Sequence, residues 1–95
     1  MSEIYKALAD PTRRRILELL REREMSAGEI AEHFEISKPT LSGHFNVLRG
    51  ADLVETERNG TTIIYRLNIT VLEEGLMALF DAFRLKAGPT KRKRP

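Results

Sequence analysis

Apolar residues recur along this chain in blocks of helical spacing. Ile4, Ala7 and Leu8 form a first stripe, and Ile16, Leu17, Leu19 and Leu20 form a second. Steps of three and four residues put each set on one face of a helix. Asp10-Pro11 separates the two. Asp10 suits the cap of the second helix, and Pro11 its first position, where the missing N–H costs nothing. Arg13, Arg14, Arg15, Glu18, Arg21 and Glu22 fall mostly on the wet side of that helix. A third helix starts at Ser26, with Glu29 three residues on as the partner in a capping box. Its apolar face is Ala27, Ile30, Ala31 and Phe34, and it is expected to stop near residues 35–36. Ser37 then caps a fourth helix after a turn of three or four residues, the spacing of a helix-turn-helix. Leu41, Phe45 and Leu48 are its inward row, and it runs to residue 50.

The period changes after Gly50. Residues 53–58 and 61–67 are rich in β-branched and apolar side chains, with Ile63, Tyr65 and Leu67 alternating. Asn59-Gly60 between them is a strong hairpin signal. Thr70 is the expected cap of a last helix, whose apolar residues Leu72, Leu76, Leu79, Phe80 and Phe83 make a long, wide stripe. Gly88-Pro89 ends it. The fold class expected is mainly α with a small β-hairpin wing (α+β), a winged helix-turn-helix of about five helices. One domain covers residues 1–88, and residues 89–95 form a basic disordered tail.

Charge alters this picture only through its placement. The chain of 95 residues has a formal net charge of +2. Lys91, Arg92, Lys93 and Arg94 supply more than that, so the folded part is slightly acidic. Affinity for nucleic acid cannot then come from bulk charge. The chain has no cysteine, which removes disulfides, thiolate metal sites and thiol catalysis. No apolar run is long enough to span a bilayer, and the first residues lack a signal-peptide pattern, so a cytoplasmic location and no membrane insertion are expected.

The fourth helix is where chemistry is expected. With about 100° per residue and Leu41, Phe45 and Leu48 inward, Pro39, Thr40, Gly43, Asn46 and Val47 point outward. Lys38, Ser42, His44 and Arg49 lie on the flanks. Residues 37–50 contain no Asp or Glu in a chain otherwise rich in them. Carboxylates there would be repelled by phosphate, whereas a merely solvated helix would usually carry some for solubility. Ser37 caps the helix, and the free N–H groups beside it can hold a phosphate. Gly43 costs about 1 kcal/mol relative to alanine in mid-helix. Two readings stand for it: close approach of the backbone to DNA, or local tolerance. At the hairpin tip Arg58, Asn59 and Thr61 can reach the minor groove or neighbouring phosphates. The DNA-contact set is therefore Ser37, Lys38, Pro39, Thr40, Ser42, Gly43, His44, Asn46, Arg58, Asn59 and Thr61. The tail could add salt-dependent affinity without specificity.

The last helix carries more apolar surface than one small core can cover. Leu72, Leu76, Leu79, Phe80 and Phe83, together with Ile4, Tyr5 and Leu8, are expected to form a two-fold homodimer surface. His33 and His44 are the only histidines, on different helices, and Glu73, Glu74 and Asp81 make a poor transition-metal site by themselves. No metal and no cofactor are expected. No nucleophile–base pair stands out, so an enzyme is not expected.

The assembled segments resemble those of the ArsR family of repressors. Ala9-Asp10-Pro11-Thr12-Arg13-Arg14-Arg15-Ile16-Leu17 resembles the opening of its second helix. Ser26-Ala27-Gly28-Glu29-Ile30-Ala31 and Ile36-Ser37-Lys38-Pro39-Thr40-Leu41-Ser42-Gly43-His44 resemble its helix-turn-helix. Ala51-Asp52-Leu53-Val54, Arg58-Asn59-Gly60 and Tyr65-Arg66-Leu67 resemble its wing. The likeness spans about residues 3–85 and lies in the order and spacing of the pieces. It implies an operator-binding homodimer on double-stranded DNA with an inverted repeat, acting as a repressor of its own operon. Many members release DNA on binding metal through cysteines near the third helix or Asp/His/Glu ligands on the last. This sequence has neither set, and is closer to the metal-independent, SdpR-like branch, where the inducer is a protein partner or an unidentified effector. Gly43 departs from the longer polar residue of many relatives. The alternative is a winged-helix module that binds proteins and not DNA.

Overall fold

The architecture, taken from a computed structural model, is described for residues 2–83. The Gly88-Pro89 stop, the domain limit at residue 88 and the basic tail lie outside those residues. Helix α1 (Ser2–Leu8) is too short to stand alone and is held by burying Ile4 and Ala7. Asp10 then takes an extended backbone and accepts the Arg13 N–H at 3.0 Å, with Pro11 in the first turn. Helix α2 (Pro11–Glu22) buries Ile16, Leu17, Leu19 and Leu20, the four residues of its apolar stripe.

Ser26 and Glu29 close the expected capping box, each side chain accepting the other's backbone N–H at 3.0 and 2.8 Å. The helix that follows, α3 (Ala27–Ala31), is shorter than its pattern predicts. His33 and Phe34 donate to Ile30 and Ala31, three residues back, and this tightening ends the helix early. The link to the next helix is thus residues 32–37, longer than the expected three or four. It lets Phe34 fold back against the core.

Helix α4 (Lys38–Gly50) starts where Ser37 Oγ accepts the Thr40 N–H, and it buries Leu41, Phe45 and Leu48. It ends at Gly50, as the pattern predicts. The left-handed residue is Asp52, at φ 60°. Asp52 donates to Arg49 O and Leu53 to Leu48 O, a Schellman closure whose apolar pair, Leu48 and Leu53, is fully buried.

Strands β2 (Val54–Asn59) and β3 (Thr62–Leu67) form the hairpin, with Val54 opposite Leu67 and Asn59 opposite Thr62. Asn59 is therefore the last paired residue, and the turn is Gly60-Thr61, one residue beyond the expected Asn59-Gly60. Only Gly60 has positive φ, 68°, the sign pattern of a turn with glycine at its first central position. A third strand, β1 (Met25–Ser26), pairs on the other side of β3, giving the order β1-β3-β2. Two residues are too few to display alternation, so the pattern did not reveal it.

Helix α5 (Ile69–Phe83) is capped by Asn68 and not by Thr70. The Asn68 side chain accepts the Val71 N–H at 3.3 Å, and its carbonyl accepts Leu72 N–H. Ile16, Ile30, Leu48 and Leu53 are the fully buried centre, and the Phe45 and Tyr65 rings pack 4.6 Å apart beside them. No polar or charged residue among those described is buried, so apolar burial at about 1.5–3 kcal/mol per large side chain carries the fold.

Candidate nucleic-acid interface

With Leu41, Phe45 and Leu48 fixed inward, the opposite side of α4 is open. Ser37, Lys38, Pro39, Thr40, Ser42, Gly43, Asn46 and Arg49 are all exposed. Nothing within 4 Å would meet a Cβ built on Gly43, so packing inside the protomer does not require glycine there. The Ser37 hydroxyl also donates to Thr40 Oγ1 at 2.9 Å, which orients the first turn. Pro39 gives that turn no amide donor. The amides that remain free at a helix N-terminus, with Lys38 beside them, face solvent as an electropositive end.

Two residues of α4 depart from their expected places. Val47 is half-buried, not outward: it packs against the core and lines a cleft with Gly50 and with Glu3 and Lys6 of α1. His44 was expected on the DNA-facing flank or against the wing. Its side chain is only 16% exposed, and its Nδ1 lies 3.1 Å from Arg13 Nη1 and 3.9 Å from Asp10 Oδ2. It sits at the joint between α4 and the start of α2, with little surface left for a ligand. The Arg13 hydrogen bond pulls the Asp10 carboxyl below its usual pKa, helped by the nearby imidazole and guanidinium.

The wing divides its charges. Arg66 gathers three carboxylates, with Glu57 at 2.8 Å, Glu24 at 3.3 Å and Glu55 at 4.0 Å. Those bonds, that to Glu57 first, hold its pKa above the ordinary value. At the tip Arg58, Asn59, Gly60 and Thr61 are exposed. Among the described residues no ion pair involves Arg58 or Lys38. The paired acids are thus kept toward the base of the hairpin while the free cation stands at its end.

The expected dimer set is split by the structure. Ile4 is 7% exposed and belongs to the protomer core. It fills the space above Gly75, where an added Cβ would come within 2.9 Å of Ile4 Cγ2. Tyr5 is half-buried and donates to Gly75 O at 3.2 Å. Leu8 and Leu72 pack on the core, and Leu76 and Leu79 are half-buried. What remains outside is Phe80 and Phe83, joined by Ile69 and Met77, which the sequence reading passed over. Met77, Phe80 and Phe83 are spaced by three, so the signal for Met77 was present. Also missed was Arg13, read as part of a wet face. Among the described residues no group of three or more His, Cys, Asp or Glu could hold a metal ion. No helix among them is long and apolar enough to cross a membrane.

The family of bacterial regulatory proteins described as the arsR family matches residues 10–56, from the Asp10 cap into β2. The chain is 50% identical over 76 residues to the transcriptional repressor SdpR of Bacillus subtilis, covering 80% of this chain and 84% of that protein. It is 44% identical over 73 residues to the arsenical resistance operon repressor of Staphylococcus xylosus, covering 77% and 70%. Among solved structures, the transcriptional repressor BigR from Xylella fastidiosa superposes with a TM-score of 0.68 at 36% identity, covering 92% of this chain and 87% of that one.

Proposed function

The chain belongs to the arsR family of bacterial regulatory proteins, as a DNA-binding transcriptional repressor with a winged helix-turn-helix, and on that premise we propose that it works as a homodimer on an inverted-repeat operator without a metal-sensing site. The observation that carries the proposal is the exposed side of α4, which has no carboxylate over residues 37–50 and room at Gly43 for another backbone. Thr40 and Asn46 read base edges in the major groove, and Lys38 and Ser42 hold phosphates or neighbouring bases. Ser37 and Pro39 shape the first turn, and the backbone at Gly43 passes close to the duplex. Arg58, Asn59 and Thr61 bring the wing tip to the adjacent minor groove or its phosphates.

The exposed row Ile69, Met77, Phe80 and Phe83 supports the dimer, because a protomer that leaves such residues in water gains by pairing them. Tyr5, Leu8, Leu72, Leu76 and Leu79 flank that row. Two-fold pairing then sets two α4 helices about 34–36 Å apart, one turn of duplex, or a multiple of it. Repression follows by occluding polymerase at the chain's own operon. Release comes through a protein partner or another effector that is not a metal.

A mobility-shift titration on DNA upstream of the chain's own gene, at two salt concentrations, tests this reading. Affinity that falls steeply with salt and exceeds that for unrelated duplex is expected. Absent or salt-insensitive binding would instead favour a winged helix that serves only protein contacts.

A further inference from the structure

The register of the hairpin sorts its side chains onto two faces. Residues directly opposite in an antiparallel pair share a face, as do alternate residues along a strand. Val54 is opposite Leu67, Thr56 opposite Tyr65 and Arg58 opposite Ile63. These six form the face turned to α4, because Val54 and Tyr65 are buried and the Tyr65 ring packs on Phe45. Glu55, Glu57 and Arg66 lie on the other face, where the arginine ties both acids. Beyond its buried base, the wall that faces α4 therefore carries the Thr56 hydroxyl and the Arg58 guanidinium, both exposed, and no carboxylate.

The side of α4 across from it is ordered in the same way. Lys38, Ser42, Phe45 and Arg49 follow at steps of four, three and four, one row along the helix. Phe45 fixes that row to the wing through Tyr65. Arg49 stands exposed in the last turn, close to the base of the wing. Its charge reaches the Tyr65 phenol: burial pushes that group's pKa up, and the guanidinium works against the rise. Among the described residues no ion pair involves Arg49. Asp52, the next acid along the chain, meets it through the backbone, its N–H donating to Arg49 O at 2.9 Å.

One sugar–phosphate strand separates the major groove from the minor groove beside it. A domain with α4 in the first and its wing tip at the second straddles that strand, which then crosses the channel between α4 and the wing. We propose that this channel is a phosphate site, in which Arg49 holds a phosphodiester of the strand that divides the two grooves. This rests on the DNA-binding reading above, and adds to it a contact outside the outward row of α4 and the wing tip. A guanidinium has donors only, in a fixed fork that matches two phosphate oxygens. Neighbouring Leu48 is fully buried, so the Arg49 side chain leaves the domain from a fixed point. The contact reads no base. It sets where the protein sits along the duplex.

The test is a salt titration of affinity by fluorescence anisotropy, on the upstream duplex and on an unrelated duplex of equal length. In Arg49→Ala, affinity for both should fall about tenfold at low salt, with their ratio unchanged. The slope of log affinity against log salt should flatten by about 1 for each bound protomer. Arg49→Lys should restore the slope. Arg21→Ala removes the same charge from the cleft between α2 and α5, and should leave the slope as it was. Ethylation interference then locates the contact. One phosphate per half-site, between the parts covered by α4 and by the wing, should block the unsubstituted chain when ethylated and make no difference to Arg49→Ala. An unchanged slope in Arg49→Ala, a loss confined to the upstream sequence, a loss that tracks a lowered urea midpoint, or an equal flattening in Arg21→Ala would each overturn the phosphate site. An unsubstituted chain that binds neither duplex at any salt would sink the DNA-binding reading itself, and the phosphate site with it.

Discussion

Helices α4 and α5 each carry a glycine at mid-length and each leave one side uncovered, yet the two cases are opposite in kind. Gly75 is explained inside the protomer: a Cβ there would press on Ile4 Cγ2 at 2.9 Å. Ile is β-branched and stiff, so the neighbour yields poorly. Gly43 meets nothing within 4 Å, and its conformational cost has no return within the fold. The uncovered sides differ in the same way. That of α4 is polar or cationic, and that of α5 is apolar, with Phe83 67% and Met77 49% exposed. On the proposed reading, one helix meets a polyanion and the other an apolar partner surface. A glycine's meaning is therefore set by what stands opposite it, and the sequence alone does not say what that is.

The largest effect that could break this contrast is on α5. Phe80→Glu places a charge in the apolar row at a residue already 40% exposed. The protomer should stay folded while the dimer dissociates, and DNA affinity should fall about 100-fold or more, because each half-site then binds alone. Light scattering after gel filtration reads the mass directly. A variant that remains dimeric would remove α5 from the interface.

The pair of glycines gives the next effect, and one with two signs. Gly75→Ala should destabilise by about 1–3 kcal/mol through overpacking against Ile4. Gly43→Ala should stabilise by up to about 1 kcal/mol, since alanine is the better helix former and has room. Urea unfolding compares them. Gly43→Ala should weaken DNA binding in spite of its gain in stability. Equal signs in the unfolding data would erase the difference between the helices.

The smallest effect is at the wing. Arg58→Ala should leave stability within about 0.5 kcal/mol, weaken binding to all sequences alike, and lower the salt slope by about 1. An unchanged slope would detach the wing tip from the duplex and leave α4 as the sole contact.

Most of the fold could be read from the sequence where one residue type had one physical job. The Asp10-Pro11 start of α2, the Ser26/Glu29 box, the Ser37 cap and the inward row Leu41, Phe45 and Leu48 needed no tertiary information. Where a partner far along the chain decided the outcome, the pattern fell short. Strand β1 exists because Met25 and Ser26 meet Tyr65 and Ile64. Ile4 is core because α5 supplies a glycine beneath it. Val47 and His44 lie on the turns of α4 that α1 and α2 happen to cover. The left-handed residue just past α4 is Asp52 and not a glycine, since a short polar side chain tolerates that region. The acid-free surface of α4 was visible at once, because it depends on composition over one helix. The hydrogen bonds of Arg13 to Lys6 O, Ala7 O and His44 Nδ1 were not, because those partners come from two other elements.

Hydroxyl-radical footprinting on the bound upstream duplex tests most directly whether paired protomers present two α4 helices to one face of DNA. The account requires two protected patches of equal strength, related by a dyad and centred about 10–10.5 base pairs apart or a multiple of that. A single protected patch, or two whose spacing is not a whole number of turns, would contradict it.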